Sequence, residues 1–137
     1  MRQILIILLL ALSVTATAQT IDEIKEMPAD EGLFYAMEYY GIMEPHIVYA
    51  QAVLETGHFK SDLCRKHGNL FGLYDSRRHA YCHFGHWIES VVAYRDRVQS
   101  KYKGGDYYYF LDALPYALDP EYTKKVRIIA ENYIEYE

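Results

Sequence analysis

The chain has 137 residues, a net charge of −5, 24% charged residues and 51% hydrophobic ones. That length suits one domain around one core. An acidic chain offers no electrostatic footprint for nucleic acid and no basic patch for anionic lipid, so neither is expected as a partner.

Residues 1–18 read as a secretory leader. Arg2 supplies a minimal positive start, Ile4 to Leu12 an apolar run, and Ala16-Thr17-Ala18 a small-residue cleavage site. The apolar run is too short to span a bilayer. Cleavage after Ala18 is expected, leaving a single domain over 19–137. That domain is expected to be exported, to the periplasm or outside the cell, free of the membrane and monomeric. Retention of the leader as an anchor is the alternative.

Residues 19–29 read as a loose lead-in. Asp30 fits an N-cap for a helix through Tyr40, with Leu33, Phe34, Met37 and Tyr40 at helical spacing and Gly41 as a stop. Glu44-Pro45 opens a second helix with proline in its first position; it runs to Thr56, and Gly57 sits where a left-handed residue ends a helix. Ser61 can cap a short third helix through Lys66. Glycines then break the pattern, and Leu70–Tyr74 with His79–Phe84 read as a β-hairpin.

Helical spacing returns from Trp87 to Tyr102 and ends at Gly104-Gly105. Asp106 can cap a short helix over Tyr107–Leu114, which Pro115 breaks. Asp119-Pro120 is a cap followed by a first-position proline, and Tyr122, Val126, Ile129 and Tyr133 give the last helix an apolar side. The fold class expected is α+β, mostly α, with a short hairpin lobe.

Cys64 and Cys82 are the only cysteines. In an oxidising compartment they are expected to form a disulfide, worth at most roughly 3 kcal/mol for so short a loop; two free thiols are the alternative. Five of the six histidines lie between His58 and His86, but the spacing fits no standard metal-ligand pattern, so no metal and no cofactor are expected. The fifteen tyrosines suit a groove for a sugar polymer, since each has an apolar face and a hydroxyl.

The second helix carries the chemistry. Ile47, Tyr49, Ala50, Val53 and Leu54 cover more than half its circumference, and Val48 and Ala52 fill the rest. A helix apolar nearly all round is buried. Gln51 and Glu55, one turn apart, are the only amide or carboxyl side chains along its middle and end. Partial desolvation and the negative end of the helix dipole both favour a protonated Glu55, which is what a general acid for glycosidic cleavage requires. A glutamate simply facing water at a helix end is the plainer alternative.

Ala50-Gln51-Ala52-Val53-Leu54-Glu55-Thr56-Gly57, Ser61 and Asn69-Leu70-Phe71-Gly72 resemble the glucosaminidase domain of glycoside hydrolase family 73, which comprises bacterial peptidoglycan hydrolases. Phe84, Trp87, Glu89-Ser90 and Tyr94 resemble the segment after the family's hairpin. Tyr116 to Tyr122 with Lys124-Lys125-Val126 resembles its closing motif. The likeness covers roughly Pro45 to Tyr133.

This resemblance implies a lysozyme-like fold and hydrolysis of the β-1,4 bond between N-acetylglucosamine and N-acetylmuramic acid in peptidoglycan strands. Glu55 falls on the catalytic acid. Tyr116 and Tyr122 both fall in the motif that supplies an active-site tyrosine, and the choice between them stays open. Gln51, Asn69, Phe71 and Tyr81 are the residues expected to bind substrate.

One departure stands out. Many members of that family carry a second acid in a longer β-lobe, whereas Leu73 to His86 contains only Asp75. Asp75 is therefore the candidate second acid. Without it, the substrate's own N-acetyl group could attack the anomeric carbon instead. A non-catalytic glycan-binding domain, and a muramidase or lytic transglycosylase cutting the other bond, are the alternative functions.

Overall fold

A computed structural model describes residues 17–134. The leader expected over residues 1–18 falls, as far as residue 16, outside the described residues. Among the described residues the chain forms helices α1 (Ile21–Glu26), α2 (Ala29–Tyr39), α3 (Pro45–Thr56), α4 (Asp62–Arg65), α5 (Trp87–Arg97), α6 (Tyr107–Ala113) and α7 (Tyr122–Ile134). Strands β1 (Tyr74–Asp75) and β2 (Ala80–Tyr81) lie between α4 and α5.

The lead-in is more ordered than expected. Thr20 accepts from the Glu23 amide while Glu23 accepts from the Thr20 amide, a capping box that starts α1. Ile24 anchors this helix in the core. Asp30 is not the cap of α2; it lies in the first turn, where its charge suits the helix dipole, and Pro28 precedes the helix.

The buried helix α3 is the axis of the molecule. Val48, Ala50, Ala52 and Val53 are almost wholly enclosed. Ala50 faces Tyr122, Val126 and Ala130, so the small side chain lets α7 lie close along α3. The larger cluster, including Leu33, Met37, Leu70, Phe71, Val91, Tyr94 and Leu111, joins α2, α5, α6 and the turn before the hairpin to α3. At its C-terminus the Thr56 hydroxyl donates to Ala52 O at 2.6 Å and accepts from the Phe59 amide at 2.8 Å. Gly57 takes the left-handed conformation that α3 needs to stop there (φ +55°, ψ +56°).

The hairpin is smaller than its sequence pattern. Only Tyr74 with Tyr81 and Asp75 with Ala80 pair, antiparallel. One bond, Cys82 N–H to Leu73 O at 2.8 Å, extends the ladder toward the core. Phe84 N–H turns instead to His67 O at 2.7 Å. The fifth helix ends at Arg97 and a 3₁₀ turn, Gln99–Lys101, replaces its expected last turn. Asp106 caps α6 through the amides of Tyr108 and Tyr109. The last helix starts at Tyr122, after Asp119 has accepted from the Glu121 amide at 2.9 Å.

The expected disulfide is not formed: Cys64 and Cys82 are both free. The two thiols have different neighbours. Cys64 lines a hollow with Ala29, Phe59 and Trp87, and burial pushes its thiol up. Cys82 Sγ takes an N–H from Arg97 of α5 at 3.2 Å.

Candidate active site

The candidate functional surface is a groove of about 760 Å³ between α3, the hairpin and the segment leading into α7. Glu55 stands on its floor, one residue before the end of α3, half-buried. Burial pushes its carboxyl up from the usual carboxylate range, and the neighbouring Tyr122 hydroxyl pulls partly against that. The sequence-derived direction is therefore reproduced, with desolvation as its cause.

Gly72 is what lets the hairpin wall meet this carboxyl. Its φ is +64°, and a β-carbon there would stand 2.5 Å from Glu55 Oε2. No other residue combines that backbone conformation with so close an approach.

The turn that carries Gly72 is fixed from behind by Asn69. Its Nδ2 donates to Leu73 O at 2.8 Å and to Cys82 O at 3.1 Å, and its Oδ1 accepts from Leu73 N at 3.0 Å. The Tyr116 hydroxyl donates to Phe71 O from the other side. Ser90 accepts from the Leu70 amide at 3.4 Å.

Three of the residues expected to bind substrate have no surface on which to do so. Gln51, Asn69 and Phe71 are each 0% exposed. Asn69 and Phe71 hold the turn, and Gln51 lies under the groove floor, donating to the Tyr122 hydroxyl at 3.1 Å. A polar residue one turn before Glu55 shares its face but not its depth, because α7 covers it.

Tyr81 does line the groove. It packs edge-on against Tyr74, with ring centroids 5.5 Å apart, and the two rings are 60% and 53% exposed. Both tyrosines of the closing motif are at the site. Tyr116 and Tyr122 stack at 5.4 Å and both line the groove, but their hydroxyls differ. The Tyr116 proton goes to Phe71 O, whereas the Tyr122 hydroxyl accepts from Gln51 Nε2 and neighbours Glu55. Burial and the neighbouring Glu55 carboxylate push the Tyr122 hydroxyl far up, so it stays a neutral donor.

Asp75 is not among the residues lining the groove. Its Oδ1 accepts from the amides of Arg77 and Arg78 at 2.9 and 3.3 Å, and its Oδ2 lies 3.6 Å from Arg78 Nε. It serves the hairpin turn. The other carboxylate lining the groove is Asp119, read in the sequence as a helix cap only. Lys125 beside it, 2.5 Å away, and the Glu121 amide hold its carboxyl below the usual range. Among the described residues no group of three or more His, Cys, Asp or Glu is gathered for a metal ion.

Residues 33–135, from α2 to the end of α7, match the glucosaminidase family model, described as mannosyl-glycoprotein endo-beta-N-acetylglucosaminidase. The chain belongs to the glucosaminidase family. No curated protein and no solved structure gives a significant match. Membership makes the chain a glycoside hydrolase of the peptidoglycan type, and the helices around α3 with their small hairpin are the family's lysozyme-like, mostly α domain. The glucosaminidase groove thus has one half-buried acid under an apolar rim, two tyrosines stacked beside it, and a hairpin with no free carboxylate.

Proposed function

We propose that this glucosaminidase cleaves the β-1,4 bond between N-acetylglucosamine and N-acetylmuramic acid in exported peptidoglycan strands, with Glu55 as general acid. A single observation carries the reading: the Glu55 carboxyl, pushed up by burial, stands on the floor of a groove and against Gly72. A carboxylic acid kept protonated there can give its proton to the leaving oxygen as the glycosidic bond breaks. Tyr122 then donates to the carboxylate that is left.

The partner of this acid is the substrate itself. Asp75 is occupied by its own turn and Asp119 by Lys125. In the proposed route the acetamido oxygen of N-acetylglucosamine attacks its own anomeric carbon, the bond to the leaving oxygen breaks, and Glu55 protonates that oxygen. Water then opens the cyclic intermediate and returns a proton to Glu55.

Digestion of purified peptidoglycan by the wild type and by Glu55→Gln, followed by mass spectrometry of the new ends, tests the bond. Reducing N-acetylglucosamine ends from the wild type alone are expected. Reducing muramic or anhydro ends would assign the other bond, and binding without products from either protein would make the domain a glycan-binding module. Chemically de-N-acetylated strands test the route. They are expected to resist cleavage, and cleavage at the ordinary rate would sink substrate assistance.

A further inference from the structure

Behind Tyr122 a line of buried polar side chains runs through the core, and its hydrogen positions follow from one fixed end. The Met43 amide can only donate, so the Gln99 atom 2.9 Å from it is Oε1. Gln99 Nε2 is then the donor, to Met43 O at 2.7 Å and to the Tyr107 hydroxyl at 3.1 Å. The Tyr107 hydroxyl has one proton, and its remaining partner is the Tyr94 hydroxyl at 2.7 Å. Tyr94 therefore accepts from Tyr107 and donates its own proton to Gln51 Oε1. That turns Gln51 Nε2 toward Tyr122, where it donates at 3.1 Å. Tyr122 thus accepts from Gln51, and its own proton is left for the groove side, which Glu55 also lines.

We propose that Gln99, Tyr107, Tyr94 and Gln51 are positioning residues: a one-way chain of buried hydrogen bonds that starts at the Met43 backbone and keeps the Tyr122 proton aimed at Glu55. Gln51, Tyr94, Tyr107 and Gln99 are all at most 2% exposed, so no solvent competes for these groups. The chain reaches from the loop before α3 to the floor of the groove. Each member is satisfied only if its neighbour keeps the same sense, which is why the direction propagates. Its part in catalysis rests on the reading of Glu55 as the acid; its existence does not.

Tyr94→Phe removes one hydroxyl and leaves the ring in place. Gln51 then loses the donor that fixes its amide, can turn over, and accepts the Tyr122 proton in place of Glu55. The other groups facing Glu55 across the groove are Lys125 of α7, Tyr116 and Asp119 before it, and Tyr74 and Tyr81 of the hairpin. None of them is altered by this change.

The test is a ¹³C NMR titration of the Glu55 side-chain carboxyl in wild type and Tyr94→Phe, with kcat and KM measured across pH on peptidoglycan. In Tyr94→Phe the Glu55 midpoint is expected to move to higher pH, because the ionised form has lost a donor. kcat is expected to fall about ten-fold, the loss of one such bond. KM should stay within about two-fold, and the basic limb of the profile should move up with the NMR midpoint. Tyr102→Phe removes a hydroxyl bonded to Gly105 O, outside the chain, and should change none of these.

A folded Tyr94→Phe with an unmoved Glu55 midpoint overturns the proposal, even if its melting temperature and rate both fall. Should Tyr94→Phe not fold, Tyr107→Phe, which removes the donor to Tyr94 and so frees the sense of the Tyr94–Gln51 bond, is measured for the same shift. The NMR reading needs no substrate. A shifted midpoint in a protein whose wild type cuts no glycan would leave the chain standing and remove the hydrolase reading. An active wild type with no shift would do the reverse.

Discussion

The two walls of the groove are built on opposite principles. The α3–α7 wall is continuous with the core: Ala50, Val126 and Ala130 lock the helices together, and Glu55 and Tyr122 project from that contact. The facing wall is a hairpin of two-residue strands with exposed tyrosines, whose single acid is spent on its own turn. The fixed, partly dry carboxyl sits on the first wall. The second contributes close approach, through Gly72, and apolar ring surface. Rigidity and desolvation come from the same packing, so a short hairpin without a core of its own can shape a substrate but cannot tune an acid.

Changes to the core wall should therefore cost most. Glu55→Gln keeps the shape and removes the proton, and hydrolysis of peptidoglycan is expected to fall by about a thousand-fold or more. The same variant carries a stability signature. Burial raises the carboxyl of Glu55 in the fold, so the folded state is penalised once pH rises through that raised value, and is not penalised below the unfolded one. Thermal melts should show Glu55→Gln more stable than wild type at pH 7, by on the order of 1 kcal/mol. The gain should vanish below about pH 4, where both states carry the proton. A variant less stable at pH 7 would mean that the core wall does not desolvate its acid.

Where the walls meet, Gly72→Ala should come next. It places a β-carbon 2.5 Å from Glu55 Oε2 and forces a positive φ on alanine. Activity is expected to fall about a hundred-fold and stability by about 1–2 kcal/mol, read by initial rates and by denaturant unfolding. Wild-type rates in this variant would show that the hairpin stands off from the acid.

On the hairpin wall itself effects should be smaller and confined to binding. Tyr81→Ala removes one ring of the exposed pair, and KM for glycan strands is expected to rise about ten-fold with kcat nearly unchanged. Smallest of all, Asp75→Asn should lower kcat by less than about three-fold, since its oxygens bond to Arg77 and Arg78. A loss of a thousand-fold in a folded Asp75→Asn would put a catalytic carboxylate on the hairpin and erase the contrast between the walls.

Much of this was legible in local sequence. Pro45 and Gly57 bracketed α3, and Asp106 and Ser61 capped the helices after them, because capping depends on neighbours a few residues away. The helix in the lead-in is not legible although Thr20 and Glu23 have capping-box spacing; six residues with two isoleucines give too little periodicity to announce it. The hairpin's pattern outran its pairing, since Phe84 spends its amide on His67 O.

The sequence by itself determined that a carboxyl, Glu55, would end a buried helix and be pushed toward its protonated form, because helical spacing and apolar composition fix that much. Only the tertiary structure decided which polar residues stay at the surface. Gln51 shares the face of Glu55 yet is sealed under α7, and Asn69 and Phe71 turn inward to hold Gly72. It also decided that the Tyr116 hydroxyl is spent on Phe71 O while that of Tyr122 meets Gln51, and that Cys64 and Cys82 keep different neighbours. The reason is physical: periodicity gives the angle of a side chain about its own helix, while depth and hydrogen-bond partners depend on what another, distant segment lays across it.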